Sequence, residues 1–119
     1  MDKHISSQFD AELTGVSSRV LELGGLVESQ TRHAVYALAQ FSSEVADQVV
    51  ATEKQVNALE VEIDRELSSI IARRQPTARD LRLLMAISKI TGNLERAGDE
   101  AERIARMVKL ILDQGSPRN

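Results

Sequence analysis

Ile70-Ile71-Ala72-Arg73-Arg74-Gln75-Pro76-Thr77-Ala78-Arg79-Asp80-Leu81-Arg82 is the stretch on which the fold turns. Pro76 lacks an N–H and disfavours helix at Gln75, so a helix entering this stretch stops near Arg74. Thr77 can cap a new helix, with Asp80 at the reciprocal position. A connection this short makes the two helices antiparallel.

Backward from the turn, apolar residues recur at helical spacing: Ile70, Leu67, Ile63, Leu59, Val56, then Thr52, Val49 and Val45. Ser42 and Ser43 can cap this helix, and Glu44 and Asp47 suit its positively polarised start. Further upstream the stripe runs Ile5, Phe9, Leu13, Val16, Val20, Leu23 and Val27, takes a polar step at Gln30, and resumes at Ala34, Leu38 and Phe41. Forward from the turn it runs Leu81, Leu84, Ile87, Leu94, Ala97, Ala101, Ile104, Val108 and Ile111, and Gly115, Ser116 and Pro117 end it. The pattern predicts helices over Ser6 to Phe41, Ser43 to Arg74 and Ala78 to Gln114. The fold class is all-α, an up-down-up antiparallel three-helix bundle forming a single domain over residues 1–119.

Composition narrows the function classes. The 119 residues are 42% hydrophobic and 28% charged, enough apolar content for one core without staples. There is no cysteine, which removes disulfides, thiolate zinc sites and cysteine nucleophiles. Net charge is −3 with acids and bases interleaved, so no basic patch calls for nucleic acid. No apolar run approaches the roughly 20 residues of a membrane span, and Met1 to Gln8 lack the apolar stretch of a secretory signal. The expectation is a soluble, cytoplasmic protein.

Two polar pairs are candidates for chemistry. Glu53 and Asn57 on the second helix, and Glu95 and Asp99 on the third, share an i, i+4 spacing. Counted outward from the Pro76 turn, Glu53 comes level with Asp99 and Asn57 with Glu95, and oxygen ligands gathered at one height can hold a metal ion. Glu102 lies on the same stripe as Glu95 and Asp99, while Glu60 and Asp64 repeat the spacing nearer the turn, level with Ser88. The same residues also fit a solvated face, because Asp99 with Arg103 and Glu102 with Arg106 have ion-pair spacing.

The remaining candidates read as structure. His33 stands alone without metal-site spacing, His4 lies near the start, and Ser42-Ser43 lacks a neighbouring base. Arg73, Arg74, Lys54 and Arg82 could attract an anion, and Met85 and Met107 read as core fillers. Gly24-Gly25, Gly92 and Gly98 each cost about 1 kcal/mol relative to alanine in a helix, which predicts close helix approach, and with Ala97 and Ala101 thinning the third helix beside Gly98 a backbone or a ligand could approach there.

Arg74 to Arg82, then Ile87-Ser88-Lys89, and then Leu94-Glu95-Arg96-Ala97-Gly98-Asp99-Glu100-Ala101-Glu102-Arg103-Ile104 resemble the PhoU family of phosphate-signalling regulators. His4-Ile5-Ser6-Ser7-Gln8-Phe9 and the Gly24-Gly25-Leu26-Val27-Glu28 run are similar as well. The resemblance implies two three-helix repeats carrying paired acidic motifs, of which this chain matches the first, as the N-terminal half of a two-repeat protein. Glu53 and Asn57 would occupy the first motif and Glu95 and Asp99 the second, with Asn57 removing one charge. The implied cofactor is a divalent or ferric ion, whether iron, zinc, manganese, magnesium or nickel, its shell completed by Glu102 or Glu60 and water.

The resemblance further implies no catalysis. It implies a negative regulator of phosphate-starvation signalling and phosphate uptake, bound to cytoplasmic parts of the phosphate-specific ABC transporter and of a sensor histidine kinase. Such a protein is peripheral to the membrane. A single repeat would expose the surface its twin covers, so a homodimer is expected. A structural dimerisation module accounts for the stripes equally well. A helical chorismate mutase-like enzyme would need arginines such as Arg65, Arg82, Arg96 and Arg103 to converge inside the bundle.

Overall fold

The computed structural model describes residues 2–115, with side chains from 7 to 114. The side chains of His4 and Ile5, and the tail after Gly115, lie outside the described residues. Three helices account for the described chain: α1, Asp2–Gln40; α2, Ser43–Arg74; and α3, Ala78–Gly115. They form an antiparallel bundle, a rod of 76 × 17 × 16 Å in which each helix packs against both others. The starts and stops follow local chemistry. Ser42 Oγ accepts from the Val45 N–H at 3.2 Å, and Thr77 Oγ1 accepts from the Asp80 N–H at 3.3 Å. Phe41 and Gln75 take left-handed φ values of 50° and 44°, and the Gln75 N–H bonds the Ile71 carbonyl at 3.2 Å, closing α2 before Pro76.

The α3 seam is Leu84, Ile87, Thr91, Leu94, Gly98, Ala101, Ala105 and Val108, alternating steps of three and four residues. That period, just under the natural helical turn, keeps one stripe facing its partners along a shallow crossing. Where the bare apolar pattern predicted Ala97, Leu38 and Phe41 inside, they are exposed, and Gly98 and Ala37 take the core positions.

The core has two parts. Toward the Pro76 turn lie large side chains, among them Phe9, Leu23, Leu59, Ile63, Ile70 and Leu84. Toward the other end lie small ones, Ala34, Ala37, Ala46, Val49, Ala101, Ala105 and Val108. Each fully buried Leu or Ile contributes about 1.5 to 3 kcal/mol, so the larger cluster dominates stability. Gln30, Glu53 and Thr91 are the buried polar residues among those described. The Thr91 hydroxyl is satisfied by the Ile87 carbonyl at 2.9 Å; the other two build the site.

The two serines at the start of α2 separate a cap from a bystander. Ser42→Ala should lower stability by about 1 kcal/mol in urea unfolding, whereas exposed Ser43→Ala should change it by under about 0.5 kcal/mol. Equal losses would show that the Ser42 bond does not hold α2.

Candidate metal centre

One buried carboxylate organises the middle of the bundle. Glu53 is 4% exposed, four residues after Val49 and three before Val56 in the α2 seam. The sequence pattern placed Thr52 in that row. The helix instead turns Glu53 inward and leaves Thr52 half-buried, its hydroxyl returned to the Gln48 carbonyl at 2.9 Å. From α1, Gln30 occupies the core row seven residues from Leu23 and from Ala37, and its amide donates to Glu53 Oε1 at 3.0 Å and to the Val49 carbonyl at 3.3 Å. From α3, Gly98 supplies room. A Cβ there would lie 3.0 Å from Gln30 Oε1, 3.3 Å from Glu53 Oε1 and 3.5 Å from Val56 Cγ1.

Beside this layer the carboxylates gather. Glu53, Asp99 and Glu102 each present an oxygen within 4.8 Å of the others. Oxygens on opposite sides of a hard cation lie about 4 to 5 Å apart, twice a metal–oxygen bond of about 2.0 to 2.6 Å, so this spread is that of one coordination shell. Burial pushes Glu53 up to about 7; the Gln30 hydrogen bond works against this, while the nearby Asp99 carboxylate and the charge of Glu102 add to it. One step toward the turn, Glu60 is also pushed up to about 7, first by burial, then by the nearby Glu95 carboxylate and the charges of Asp64 and Asp99. Such a run of mutually repelling oxygen donors suits a hard cation, whose charge would neutralise it.

The expected residues divide between these two groups. Glu53 meets Asp99, as their levels predicted, but it is buried rather than solvent-facing. Glu95 meets Glu60, and Glu102 joins the Glu53 group. Asn57 is exposed on the flank of α2 between Glu53 and Glu60. Of the two expected ion pairs, Arg106 bonds Glu102 at 2.8 Å, whereas Arg103 turns to Glu100 at 2.6 Å rather than to Asp99.

In the apolar stripe of α1, Gln30 reads as a polar interruption rather than a core residue. Its seven-residue spacing from Leu23 and Ala37 was the available signal. Of the four glycines expected to mark close approach, Gly25 and Gly92 have nothing within 4 Å of an added Cβ and Gly24 meets only Leu94 Cδ1 at 4.0 Å, whereas Gly98 has close neighbours, and these are polar side chains together with Val56.

Other candidates fall away from the centre. Arg73 and Arg74 are held by Glu12 at 2.5 and 2.8 Å, and that pairing holds the Glu12 carboxyl below its usual value. Met85 and Met107 are exposed rather than core. Met85 lines an open groove of about 470 Å³ between α2 and α3, where Asp64, Ser68 and Ser88 lie over Leu67, Ile71 and Leu84. His33 is exposed, with Nδ1 3.3 Å from Ser29 Oγ. Arg65, Arg82, Arg96 and Arg103 are all exposed, not gathered in an interior anion site.

The raised carboxyls set a pH dependence. Glu53 and Glu60 titrate near 4.5 when unfolded and near 7 in the fold, so the folded state holds more protons between those values and stability falls as pH rises through that window. Without metal, the urea midpoint should be higher at pH 5 than at pH 8, and the difference should shrink in Glu53→Gln. A midpoint that rises from pH 5 to pH 8 would contradict the assigned environment.

Comparison with known proteins follows the same residues. The PhoU domain model matches residues 20–108, which contain every carboxylate of the centre and Gln30. A phosphate-specific transport system accessory protein PhoU homolog from Burkholderia sp is 52% identical over 98% of this chain and 49% of its own length. The accessory protein PhoU of Escherichia coli (strain K12) is 48% identical over 89% of this chain and 44% of its own. The crystal structure of PhoU from Pseudomonas aeruginosa superposes with a TM-score of 0.86 at 46% identity, covering 93% of this chain and 53% of that one. The chain thus spans about half the length of the curated relatives it matches. With the family match over most of its length and three helices laid out as in the PhoU crystal structure, the chain belongs to the PhoU family.

Proposed function

We propose that the chain is a non-catalytic accessory regulator of phosphate uptake and of phosphate-starvation signalling, and that it corresponds to one three-helix repeat of a two-repeat protein. The observation that carries the reading is the level of identity, near half over nearly the whole chain, to proteins named as accessories of the phosphate-specific transport system. The adaptor role places the cytoplasmic part of the phosphate-specific ABC transporter on one side and a sensor histidine kinase on the other. No described helix is long and apolar enough to cross a membrane, and the position in this reading is peripheral, on the cytoplasmic side. An immobilised chain should retain the cytoplasmic part of the transporter, and should lower a phosphate-starvation reporter in cells lacking their own PhoU. Failure of both would overturn the adaptor role.

The centre's function in this reading is to bind a divalent or ferric ion through Glu53, Asp99 and Glu102, with Glu60 and Glu95 forming a second oxygen pair and Asn57 on its rim. The ion would supply charge neutralisation that stiffens the α2–α3 face. Manganese or iron should raise the melting temperature of the wild-type chain and lose that effect in Glu95→Gln, Asp99→Asn. Identical melts for both proteins would reduce the centre to a charged surface.

Self-association belongs to the same proposal. Leu21, Val35 and Leu38 on α1 and Ile90, Met107 and Ile111 on α3 are all exposed, and apolar patches of a few hundred Å² tend to find partners. Sedimentation at micromolar concentration should show a dimer. A single 13.1 kDa species would contradict it.

A further inference from the structure

We infer that Gln30 and Gly98 form a positioning device for the cation centre, with the Gln30 amide fixing the Glu53 carboxylate in place and Gly98 making room for it. The inference rests on the metal-binding reading of Glu53, Asp99 and Glu102, and deepens it by extending the centre to α1.

The amide of Gln30 has only one workable orientation. Its Nε2 faces two acceptors, the Val49 carbonyl and Glu53 Oε1. Turned over, the amide would present Oε1 to both and meet oxygen with oxygen. The observed orientation uses the donors fully and strands the other end: Gln30 Oε1 is buried without a hydrogen-bond partner. A buried acceptor left in that state is destabilising, so Gln30 is not explained by stability. A residue whose polar head is half satisfied, in a row of Leu23, Ala34 and Ala37, is held there by what its satisfied half does. That half grips one oxygen of Glu53.

Gly98 completes the device. The stranded Oε1 lies where a Cβ on residue 98 would come within 3.0 Å, and Glu53 Oε1 within 3.3 Å of the same point. Any side chain at position 98 would therefore move Gln30 or Glu53. Seven residues to either side, Thr91 and Ala105 are buried in the same row with side chains, so the opening belongs to this level alone. Residue 98 is also adjacent to Asp99, so α3 delivers the opening for Glu53 and a second carboxylate from neighbouring positions. The centre thus has one side chain fixed by both other helices, facing Asp99 and Glu102 on the outer side of α3.

A partner that orients a metal ligand typically contributes 10- to 100-fold in affinity. Replacing Gln30 by methionine keeps the length of the side chain and removes both the grip and the stranded oxygen. Manganese binding followed by calorimetry should weaken at least about tenfold in Gln30→Met, while the metal-free melting temperature stays equal to or above that of the wild type. Gly98→Ala should weaken manganese binding likewise, through displacement of the two oxygens. Glu53→Gln is the control for the centre itself. If Glu53→Gln abolishes binding while Gln30→Met and Gly98→Ala bind as tightly as the wild type, the positioning role is overturned and the centre stands. If Gln30→Met lowers the metal-free melting temperature and leaves affinity unchanged, Gln30 is a structural residue and the inference fails. If the wild-type chain binds no manganese, the centre and its positioning device fail together.

Discussion

A 3.0 Å hydrogen bond from Gln30 to the buried carboxylate of Glu53 is the contact on which the geometry of the centre depends. A carboxyl group enters an apolar interior only if it is neutralised or well bonded. Here it receives one amide, faces the charge of Asp99, and sits with its pKa raised to about 7, chiefly by burial. The layer it forms with Gln30 and Gly98 divides the large-residue core near the Pro76 turn from the alanine core beyond it. Packing on both sides fixes the height and rotation of three helices, and those in turn fix where the outer carboxylates of α3 fall.

The stability of the fold and the chemistry of the centre pull in opposite directions. Leu23, Ile63, Ile70 and Leu84 are essentially inaccessible and are the largest apolar side chains fully buried in the core. The polar layer subtracts from that. The stranded Gln30 oxygen costs about 1 to 3 kcal/mol, and the crowding of Glu53, Asp99, Glu102, Glu60 and Glu95 adds repulsion above neutral pH. Ion pairs elsewhere, such as Arg19 with Glu62 and Glu66 or Lys109 with Asp47, lie on half-exposed surface and contribute only about 0 to 1 kcal/mol each, too little to offset it. A cation bound among the acids would relieve the repulsion directly.

Much of the fold was legible in the sequence because its signals are local. Pro76 and the two caps depend on residues within four positions of each other, and both α2 boundaries fall where those residues put them. The site was legible in part. Two i, i+4 pairs at one level brought Glu53 to Asp99, but assigning a face to each helix by its apolar residues turned Glu53 outward by one position. Charged residues are read as surface, so a carboxylate serving as a core residue is hidden by its own chemistry. Gln30 was hidden the same way. Gly98 announced an opening without saying what fills it, since the answer comes from residues 68 and 45 positions earlier in the chain.

Crystals of the chain grown with manganese, with diffraction recorded for the metal's anomalous signal, bear most directly on the buried carboxylate as the anchor of a cation centre. The expected map has a peak within about 2.0 to 2.6 Å of carboxylate oxygens from Glu53 and Asp99, with the Gln30 amide still on Glu53. A peak elsewhere, or none, or a Glu53 side chain swung into solvent with the Gln30 contact broken, would contradict it.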